Sequence, residues 1–346
     1  MIEVGDDGRT WLLSGPTSSY ALHVTGRHEL LHLHWGPRLA LTDAEALAAE
    51  QTPPGRLFEP PTPGAREEYP VEGGPRCAYP ALSVRGGGPR GTAWRFDGAD
   101  ADGDALRLSF TVPAHHLEVL LGYRTRGDVV ERYAALVHSG PEGSPDLEVL
   151  RAEAAAWTLP PRERWRLTQP HGRWAAASRP LRGDLTYGEQ VIGGRTGRRD
   201  LPWVALDADG ATEERGEVYS CALAWSGPWR VVVHRLPGGA VRITGGCGHD
   251  DSGRQLLAPG TAMVTPVCAG LWSAGGFGGT SRAWHAYRRA HAVPAADEAR
   301  PVRHDSWAAT GRDARAGQRR APATSAPRAC GAPGAPTALR PGPTAG

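Results

Sequence analysis

The stretch Leu106-Arg107-Leu108-Ser109-Phe110-Thr111-Val112 decides the fold class, because its apolar and polar residues alternate strictly. Successive side chains of a β-strand point to opposite faces of a sheet, so a period of two predicts a half-buried strand. The nearby run Leu117-Glu118-Val119-Leu120-Leu121-Gly122-Tyr123 shows a looser version of the same pattern. These two runs are the starting point for an all-β interpretation of the chain.

Strand-like runs continue on both sides of this stretch at a spacing of roughly ten residues, which is typical of a β sandwich. Two runs near the start predict an antiparallel pair around Gly15-Pro16-Thr17, and two later runs predict a pair joined by Gly86-Gly87-Gly88-Pro89. The 46 Gly and 31 Pro suit many short strands joined by tight turns. The further predicted strands cover residues 11–14, 19–24, 29–36, 81–85, 92–96, 129–137, 147–152, 165–168, 203–207, 217–225, 229–235 and 240–244. We therefore predict an all-β fold, a large sandwich.

Two segments depart from the strand pattern. Residues 41–63 hold a short Ala-rich segment and then a Pro-rich loop, and loops of this length often carry function. The best helical pattern begins at Thr280-Ser281, a preferred N-cap pair, and ends before Pro294. Its apolar residues form one stripe, made of Ala283, Trp284, Tyr287 and Ala290. We expect a sandwich over residues 1–280 and a linker helix over 281–300 that leads into another domain.

The basic residues are all arginine: the 346-residue chain has 39 Arg, no Lys and no Asn. This composition excludes a mechanism that needs a Schiff-base lysine or the lysine of a phosphate-binding P-loop.

The net charge of +2 divides unevenly along the chain. Residues 308–346 carry six Arg and one Asp, a balance of +5, which leaves −3 for residues 1–307. The same segment has no aromatic residue, and its one large aliphatic residue is Leu339. Such a composition cannot bury enough apolar surface to order the chain, so we expect a disordered tail over residues 311–346. Because the basic excess belongs to the tail, we expect no nucleic-acid partner.

The first residues and the cysteines bear on the cellular compartment. The start Met1-Ile2-Glu3-Val4-Gly5-Asp6-Asp7 is acidic, and no run approaches 18 consecutive apolar residues. The five cysteines are odd in number and contain no C-x-x-C pair. We expect a cytoplasmic protein with reduced, buried thiols and no membrane contact.

Local motifs for metal binding or catalysis are weak. On a strand, His32 and His34 would share one face, which leaves a metal pair open, although a structural pair is favoured without a third ligand. Cys247, His249 and Asp250 could touch a metal, but a simple glycine-rich turn explains them better. Ser273 does not lie in a G-x-S-x-G elbow. The 12 Trp together with the arginines suggest sugar binding, because the apolar face of a pyranose can stack on an indole. Most of the Trp residues should nevertheless lie in the core. The residues indicate no catalytic group, no metal and no cofactor.

About a dozen short segments over residues 11–310 form a recognisable succession. In chain order, these segments are Ser19-Tyr20-Ala21-Leu22, Leu31-His32-Leu33-His34-Trp35-Gly36, Glu68-Tyr69-Pro70, Pro80-Ala81-Leu82-Ser83-Val84-Arg85, Tyr123, Asp128-Val129-Val130-Glu131-Arg132, Gly172-Arg173-Trp174, Gly216-Glu217-Val218-Tyr219, Leu223-Ala224-Trp225-Ser226-Gly227, Leu257-Ala258-Pro259-Gly260-Thr261, Thr265-Pro266, Gly276-Phe277-Gly278-Gly279-Thr280-Ser281, His285, Arg300-Pro301-Val302 and Ser306-Trp307. Taken in this order, they resemble the amino-terminal domain of α-galactosidases of glycoside hydrolase family 36.

The resemblance implies a β-supersandwich of the galactose-mutarotase-like kind, followed in the family by a catalytic (β/α)₈ barrel. It also implies retaining hydrolysis of terminal α-galactosides, such as melibiose or raffinose, by two aspartates of the barrel. The family's nucleophile follows Lys-Trp in a Lys-Trp-Asp motif, which a chain with no Lys cannot contain. A barrel takes about 250 residues, and about 40 follow the point where it would begin. We therefore expect residues 301–310 to form the first barrel strand, residues 311–346 to be out of frame after a frameshift, and the chain to be inactive alone.

The resemblance further implies three substrate-binding residues and a homo-oligomer. Trp174 stands where the family's supersandwich offers a Trp to the sugar site of a neighbouring subunit. Arg56 lies in a second substrate-facing loop, and Trp307 lies at the barrel entrance. This sequence departs from the family beside each of them, with Ala177, Gly55 and Ala308 where the family has acidic residues. The expected partners are α-galactoside oligosaccharides.

Two alternatives remain open from the sequence. The chain could be a stand-alone carbohydrate-binding or oligomerisation module without catalysis. It could also be a related β-sandwich sugar epimerase, which would need His115, His116 and Glu118 to converge in space.

Overall fold

A computed structural model describes residues 1–51, 67–74, 79–86, 91–173, 176–194, 200–208, 210–247 and 255–293. The remaining residues lie outside the described part of the chain, including the expected barrel strand at 301–310 and the expected tail at 311–346. A first compact unit, Met1–Val293, contains all of the described residues.

The described chain is almost entirely β structure. Its strands are β1 Ile2–Val4, β2 Thr10–Ser14, β3 Ser18–Val24, β4 Leu30–Pro37, β5 Leu82–Arg85, β6 Arg95–Asp102, β7 Ala105–Val112, β8 Leu117–Arg126, β9 Val129–His138, β10 Leu147–Leu159, β11 Arg166–Arg173, β12 Ala176–Asp184, β13 Gly188–Gly194, β14 Trp203–Asp207, β15 Val218–Leu223, β16 Trp229–Arg235, β17 Val241–Cys247, β18 Gln255–Leu257, β19 Ala262–Val264 and β20 Cys268–Ser273. The all-β prediction is confirmed.

The strands form three antiparallel sheets. One sheet has the order β1-β2-β3-β4, and a second has the order β13-β16-β17-β10-β18 with β5 also paired to β10. The third and largest has the order β12-β11-β14-β15-β20-β9-β8-β7-β6, with β19 also paired to β9. Buried residues from all three sheets, among them Trp11, Trp157 and Phe110, belong to one apolar core. This layered arrangement of sheets around one core is the sandwich that the strand spacing predicts.

Two α-helices accompany the sheets in the described residues, α1 Leu41–Gln51 and α2 Gly276–His291. Neither of them is long and apolar enough to cross a membrane. Helix α1 is the Ala-rich segment, and it buries Ala44 against Leu12 of β2. Helix α2 begins at Gly276 and not at the expected Thr280-Ser281. The Thr280 hydroxyl donates to the Gly276 carbonyl oxygen at 2.9 Å, four residues earlier, so it lies inside the helix and does not cap its start.

Helix α2 packs on the large sheet through the apolar stripe that the sequence predicts, although Ala290 is exposed. Trp284 packs against Val129 and Leu271, and its indole N–H donates to the Ser220 hydroxyl at 2.8 Å. The compact unit therefore runs through this helix and ends at Val293.

The observed strand pairing contradicts one predicted hairpin, and the structure contains strands that the hydrophobic alternation of the sequence does not show. The runs 81–85 and 92–96 do not form a hairpin, because β5 pairs with β10 while β6 pairs with β7. The pair β2 and β3 is confirmed, with Leu12 opposite Ala21. Six strands were not predicted: β1, β18 and β19 have only three residues each, glycine interrupts the alternation of β13 and β20, and arginine and proline interrupt that of β12.

A buried ion pair lies at the centre of the core. The Arg132 guanidinium lies 2.8 Å from a carboxylate oxygen of Glu68, with both side chains at most 2 % exposed. The hydroxyls of Tyr20 and Tyr123 donate to the same carboxylate at 2.6 Å and 3.2 Å. Burial opposes the charge of Arg132, but Glu68 and the two tyrosines hold its pKa above the ordinary value. Burial raises the pKa of both tyrosines well above the usual range, so their hydroxyls remain donors.

We expect removal of either partner of this ion pair to destabilise the fold strongly, because the other charge would stay buried without compensation. Arg132→Met and Glu68→Gln should each lower the free energy of unfolding by about 3–5 kcal/mol. The double variant should lose less than the sum of the single variants. Urea unfolding followed by tryptophan fluorescence measures all three.

The matched control is Asp100→Asn, which breaks the exposed pair of Asp100 with Arg107 on β6 and β7. This substitution should lower the free energy of unfolding by less than about 1 kcal/mol, because exposed ion pairs contribute little to stability. Additive losses in the double variant would contradict the coupling of Glu68 to Arg132.

Candidate functional site

The three substrate-binding residues predicted from the sequence, Arg56, Trp174 and Trp307, lie outside the described residues. Their roles therefore stay predictions. The same holds for His249 and Asp250 of the glycine-rich segment.

The described residues form a cleft of about 590 Å³. Four parts of the chain line it: β4, the end of β10 with the residues after it, the start of β15, and the turn between β16 and β17. A cavity of this size lies within the usual range of small-molecule sites. The cleft is the candidate functional site of the described chain.

Two aromatic residues, Trp35 and Tyr219, are among the residues that line the cleft, but both are almost fully buried, at 3 % and 2 % exposed. The ring of Trp35 on β4 lies 5.2 Å from that of Tyr219 on β15, nearly perpendicular to it. The Tyr219 hydroxyl donates to the Trp35 carbonyl oxygen at 3.3 Å, and burial raises the pKa of this hydroxyl, so it stays protonated. Thr158, near the end of β10, also lines the cleft; it is 5 % exposed, and its buried hydroxyl oxygen has no hydrogen-bond partner among the described residues.

An ion pair lies at the rim of the cleft. The Arg162 guanidinium donates to the Glu217 carboxylate at 3.0 Å, and both side chains are partly exposed. The backbone N–H of Arg162 donates to the carbonyl oxygen of Gly239 in the β16–β17 turn. Gly239 has φ of +82°, a conformation that glycine adopts without strain, so the turn can reach Arg162. The rim is therefore polar, but its two charges cancel.

Two histidines of β4 also line the cleft and differ in their surroundings. His32 is buried, with Nδ1 3.3 Å from the Glu68 carboxylate. His34 has Nε2 2.8 Å from the carbonyl oxygen of Pro37, which only accepts, so Nε2 donates and Nδ1 remains an acceptor. Burial lowers the pKa of His34, and nearby His32 lowers it further, while the Pro37 carbonyl opposes this. His34 is therefore neutral at pH 7.

The two histidines do not form a metal pair on a regular strand face. The pairing of β3 with β4 shifts register between Ala21 and Leu22, which places His34 and His32 on either side of a bulge at Leu33. No group of three possible metal ligands was found in the part of the chain that the structure describes. The structural interpretation of the pair fits these contacts.

The structure does not bring the epimerase residues together. His115 is 4 % exposed, and its Nε2 lies 3.0 Å from the Gly91 carbonyl oxygen. Glu118 is exposed on β8, whereas its neighbours Leu117 and Val119 face the core. His116 is exposed, as Glu118 is, but His115 is buried, so the three residues do not converge on one substrate.

Sequence reasoning did not identify the cleft, because its polar groups come from separate segments of the chain. Two signals were indirect: His32 and His34 stood out as a possible pair of ligands, and Trp35, Glu217 and Tyr219 occur in two of the short motifs that carry the family resemblance. Thr158 and Arg162 carry no such signal.

Comparison with known proteins identifies what the chain is similar to. The glycosyl hydrolase family 36 N-terminal domain matches residues 28–258. The "Probable alpha-galactosidase G" of Aspergillus terreus is 26 % identical over 326 residues, which cover 87 % of this chain and 44 % of that protein. "Alpha-galactosidase AgaA" of Geobacillus stearothermophilus is also 26 % identical, over 85 % of this chain and 44 % of its own length. The chain thus spans less than half the length of these relatives.

Solved structures show the same fold. The galactosidase domain of the alpha-galactosidase–sucrose kinase AgaSK superposes with a TM-score of 0.80 at 20 % identity, covering 90 % of this chain and 47 % of that one. The family 36 alpha-galactosidase AgaA of Geobacillus stearothermophilus, in complex with raffinose, gives 0.77 at 23 % identity over 88 % of this chain and 46 % of that one. These likenesses confirm the sandwich fold of the chain.

We expect stability to fall as the pH drops, because the native state holds His34 neutral. A histidine whose pKa is lowered in the native state adds its full contribution to the free energy of unfolding at pH values above the ordinary pKa of 6.5. This contribution is lost as the pH falls below that value. The urea midpoint should therefore be lower at pH 5.5 than at pH 7.5. His34→Gln should reduce this difference but not abolish it, because burial also lowers the pKa of His23.

His285→Gln, on the exposed side of α2, is the matched control and should keep the wild-type pH dependence. An unchanged pH dependence in His34→Gln would contradict the assignment to His34.

Proposed function

The chain belongs to the glycosyl hydrolase family 36 N-terminal domain family, and from that membership we propose that it is the non-catalytic sandwich of an α-galactosidase. The intact enzyme would hydrolyse terminal α-galactosides with retention, and α-galactoside oligosaccharides would be its substrates. The support is that the relatives are named alpha-galactosidases and that one solved relative holds raffinose. The catalytic carboxylates would lie in the part of such enzymes that this chain does not span.

The state of the buried carboxylates carries this proposal. Glu68 is held by Arg132, Glu153 lies 3.1 Å from the Arg230 guanidinium, and Asp207 pairs with Arg166. Burial raises the pKa of Glu153, while Arg230 opposes the shift. Each of these carboxylates is buried and paired with an arginine, so it cannot reach the anomeric carbon of a substrate.

The cleft also lacks the pair of carboxylates that glycoside hydrolysis needs. A retaining glycosidase places two carboxyl groups about 5–5.5 Å apart on either side of the scissile bond. Among the described residues that line the cleft, Glu217 is the one carboxylate, and it pairs with Arg162. The cleft can bind a ligand, but it cannot supply both a nucleophile and an acid.

We place the protein in the cytoplasm, on the evidence of its thiols. Cys221 and Cys268 lie on the paired strands β15 and β20 as buried free thiols. The indole N–H of Trp157 donates to the Cys268 sulfur at 3.4 Å. Two buried cysteines on neighbouring strands that are not joined by a disulfide suit a reducing compartment. The charge of −3 over residues 1–307 supports a function without nucleic acid.

We also propose a homo-oligomer, formed through the edges of two sheets. Strand β12 ends the large sheet and β13 ends the second sheet. Leu181 on β12 and Val191 on β13 are 49 % and 61 % exposed, and Tyr187 between these strands is 62 % exposed. Apolar residues on open sheet edges favour association. The β11–β12 connection also carries Trp174, for which the family resemblance implies contact with a neighbouring subunit.

We expect the purified 346-residue chain to leave p-nitrophenyl α-D-galactopyranoside unhydrolysed at concentrations where a full-length family 36 enzyme is saturated. The reason is the absence of a second carboxylate beside Glu217 in the cleft. Release of p-nitrophenol is followed by absorbance. Hydrolysis that disappears in Glu217→Gln, but persists in the surface variant Asp184→Asn, would overturn the proposal.

We expect Val191→Lys to shift the chain toward monomer, because it places a charge on the apolar edge of β13. Light scattering coupled to size-exclusion chromatography measures the mass. Val264→Lys is the matched control, since Val264 is equally exposed at 63 % but lies on β19. A wild-type chain that is monomeric at micromolar concentration would refute this interface.

A further inference from the structure

We propose that two copies of this chain pair through β13, whose two edge strands run antiparallel about a twofold axis at Val191. The second sheet would then continue from one copy into the other, and Val191 would contact Val191 of the second copy. This pairing rests on the homo-oligomer put forward under the proposed function. It specifies which strand joins the copies and which residues lie opposite each other.

Strand β13 is a sheet edge that its sequence leaves open to pairing. It has seven residues, Gly188–Gly194, and it pairs with β16 on one side, while no other described strand pairs with it on the other side. An open edge presents a row of backbone N–H and C=O groups to a further strand, and proteins commonly block such a row with proline, charge or a very short strand. Strand β13 has no proline, and Glu189 is its one charged residue.

The other sheet edges of the described chain carry such protection. Strand β12 contains Pro180, which has no backbone N–H, together with two arginines and an aspartate. Strand β6 contains three aspartates and an arginine. Strands β1 and β18 have only three residues each, and β4 already forms a bridge from Leu31 to Glu67. Among the described edges, β13 is therefore the best suited to receive a second strand.

The side chains of β13 divide between a buried and an open face. Ile192 is 7 % exposed and belongs to the core. Val191 points to the opposite face, where it is 61 % exposed although its partner Val232 on β16 is 2 % exposed. A second β13 would cover Val191 from its open side, and apolar cross-strand pairs stabilise a sheet.

The register follows from the length and charge of the strand. Val191 is the middle one of its seven residues, so a twofold axis there pairs the whole strand with itself, as a symmetric interface requires. Glu189 then lies opposite Gly193 of the second copy, and like charges, which would be unfavourable, do not face each other. A shift of the axis by one residue in either direction would pair five residues in place of seven. The strand is thus self-complementary about Val191.

Disulfide trapping with oxidised glutathione tests this pairing on the 346-residue chain. Directly opposite residues of antiparallel strands have Cα atoms about 4.5–5.5 Å apart, a separation that a disulfide can span. Val191→Cys should therefore give a covalent dimer on a non-reducing gel. Val264→Cys is the matched control, because Val264 is 63 % exposed but lies on β19. Val191→Cys should link at least about tenfold faster, since pairing holds its two thiols at a high effective concentration.

The native cysteines need a separate control. Cys221 and Cys268 are buried, whereas Cys247 is partly exposed. Cys77 and Cys330 lie outside the described residues. All variants are therefore made in a parent chain in which Cys77, Cys247 and Cys330 are changed to serine, and this parent should stay unlinked.

A second pair of variants tests the register itself. Glu189→Cys and Gly193→Cys should each stay unlinked when expressed alone, because the two copies of either residue would lie about 13–14 Å apart along the strands. Co-expression of the two variants should give the covalent dimer. Thermal unfolding checks that Gly193→Cys folds, since a Cβ there would lie 3.3 Å from the Trp229 carbonyl oxygen.

Three results would overturn the inference: Val191→Cys links no faster than Val264→Cys, Glu189→Cys links to itself, or Val191→Cys links to Leu181→Cys on β12 and not to its own copy. If light scattering still shows an oligomer, each of these results leaves the proposed homo-oligomer standing, because another surface then joins the copies. A monomeric wild-type chain would overturn the homo-oligomer and this pairing together. The expected lack of hydrolysis depends on neither.

Discussion

The contact between Glu68 and Arg132 is the constraint on which the rest of the sandwich depends. It joins the segment before β5 to β9, and the hydroxyls of Tyr20 and Tyr123 tie β3 and β8 to the same carboxylate. The Arg132 guanidinium also donates to the Ala156 carbonyl oxygen of β10 at 2.7 Å. All three sheets therefore meet at one desolvated charge pair. Such a pair does not have to add net stability, but it fixes the register of the parts that it joins, since any slip would leave a charge buried alone.

The same interaction organises the cleft through a chain of aromatic rings. The Arg132 guanidinium lies 4.7 Å from the ring centre of Trp157, and this ring lies 4.9 Å from that of Trp35. Trp35 in turn contacts Tyr219, which also lines the cleft. Trp157 can lie flat against the large sheet because Gly270 has no side chain; a Cβ there would come within 2.8 Å of the indole. These rings thus belong to the core, and its close packing fixes the side of the cleft that Trp35 and Tyr219 line.

The fold was predictable where the signal is local, as in the strictly alternating run 106–112, which is β7. It was not predictable where pairing or chemistry depends on distant residues. The expected hairpin of 81–85 with 92–96 was wrong because β5 finds its partner in β10, more than sixty residues away in the chain. The family resemblance supplied the fold and function class that composition alone could not. The cleft remained hidden because a missing hydrogen-bond partner, as at Thr158, is a property of the folded chain only.

The all-arginine composition acquires a physical meaning in this structure. A guanidinium stays charged when desolvated and offers five donors in a plane, whereas a buried ammonium more readily loses its proton. Arg235 donates to the Leu185 carbonyl oxygen and Arg242 to that of Glu67, so buried cations here satisfy backbone oxygens as well as carboxylates. Arginine thereby satisfies buried backbone oxygens of the core. It also pairs with the neighbouring carboxylates, which leaves them unavailable for catalysis. The accessible charged groups at the cleft, Arg162 and Glu217, also pair with each other, so the same arginine pairing extends from the core to the surface.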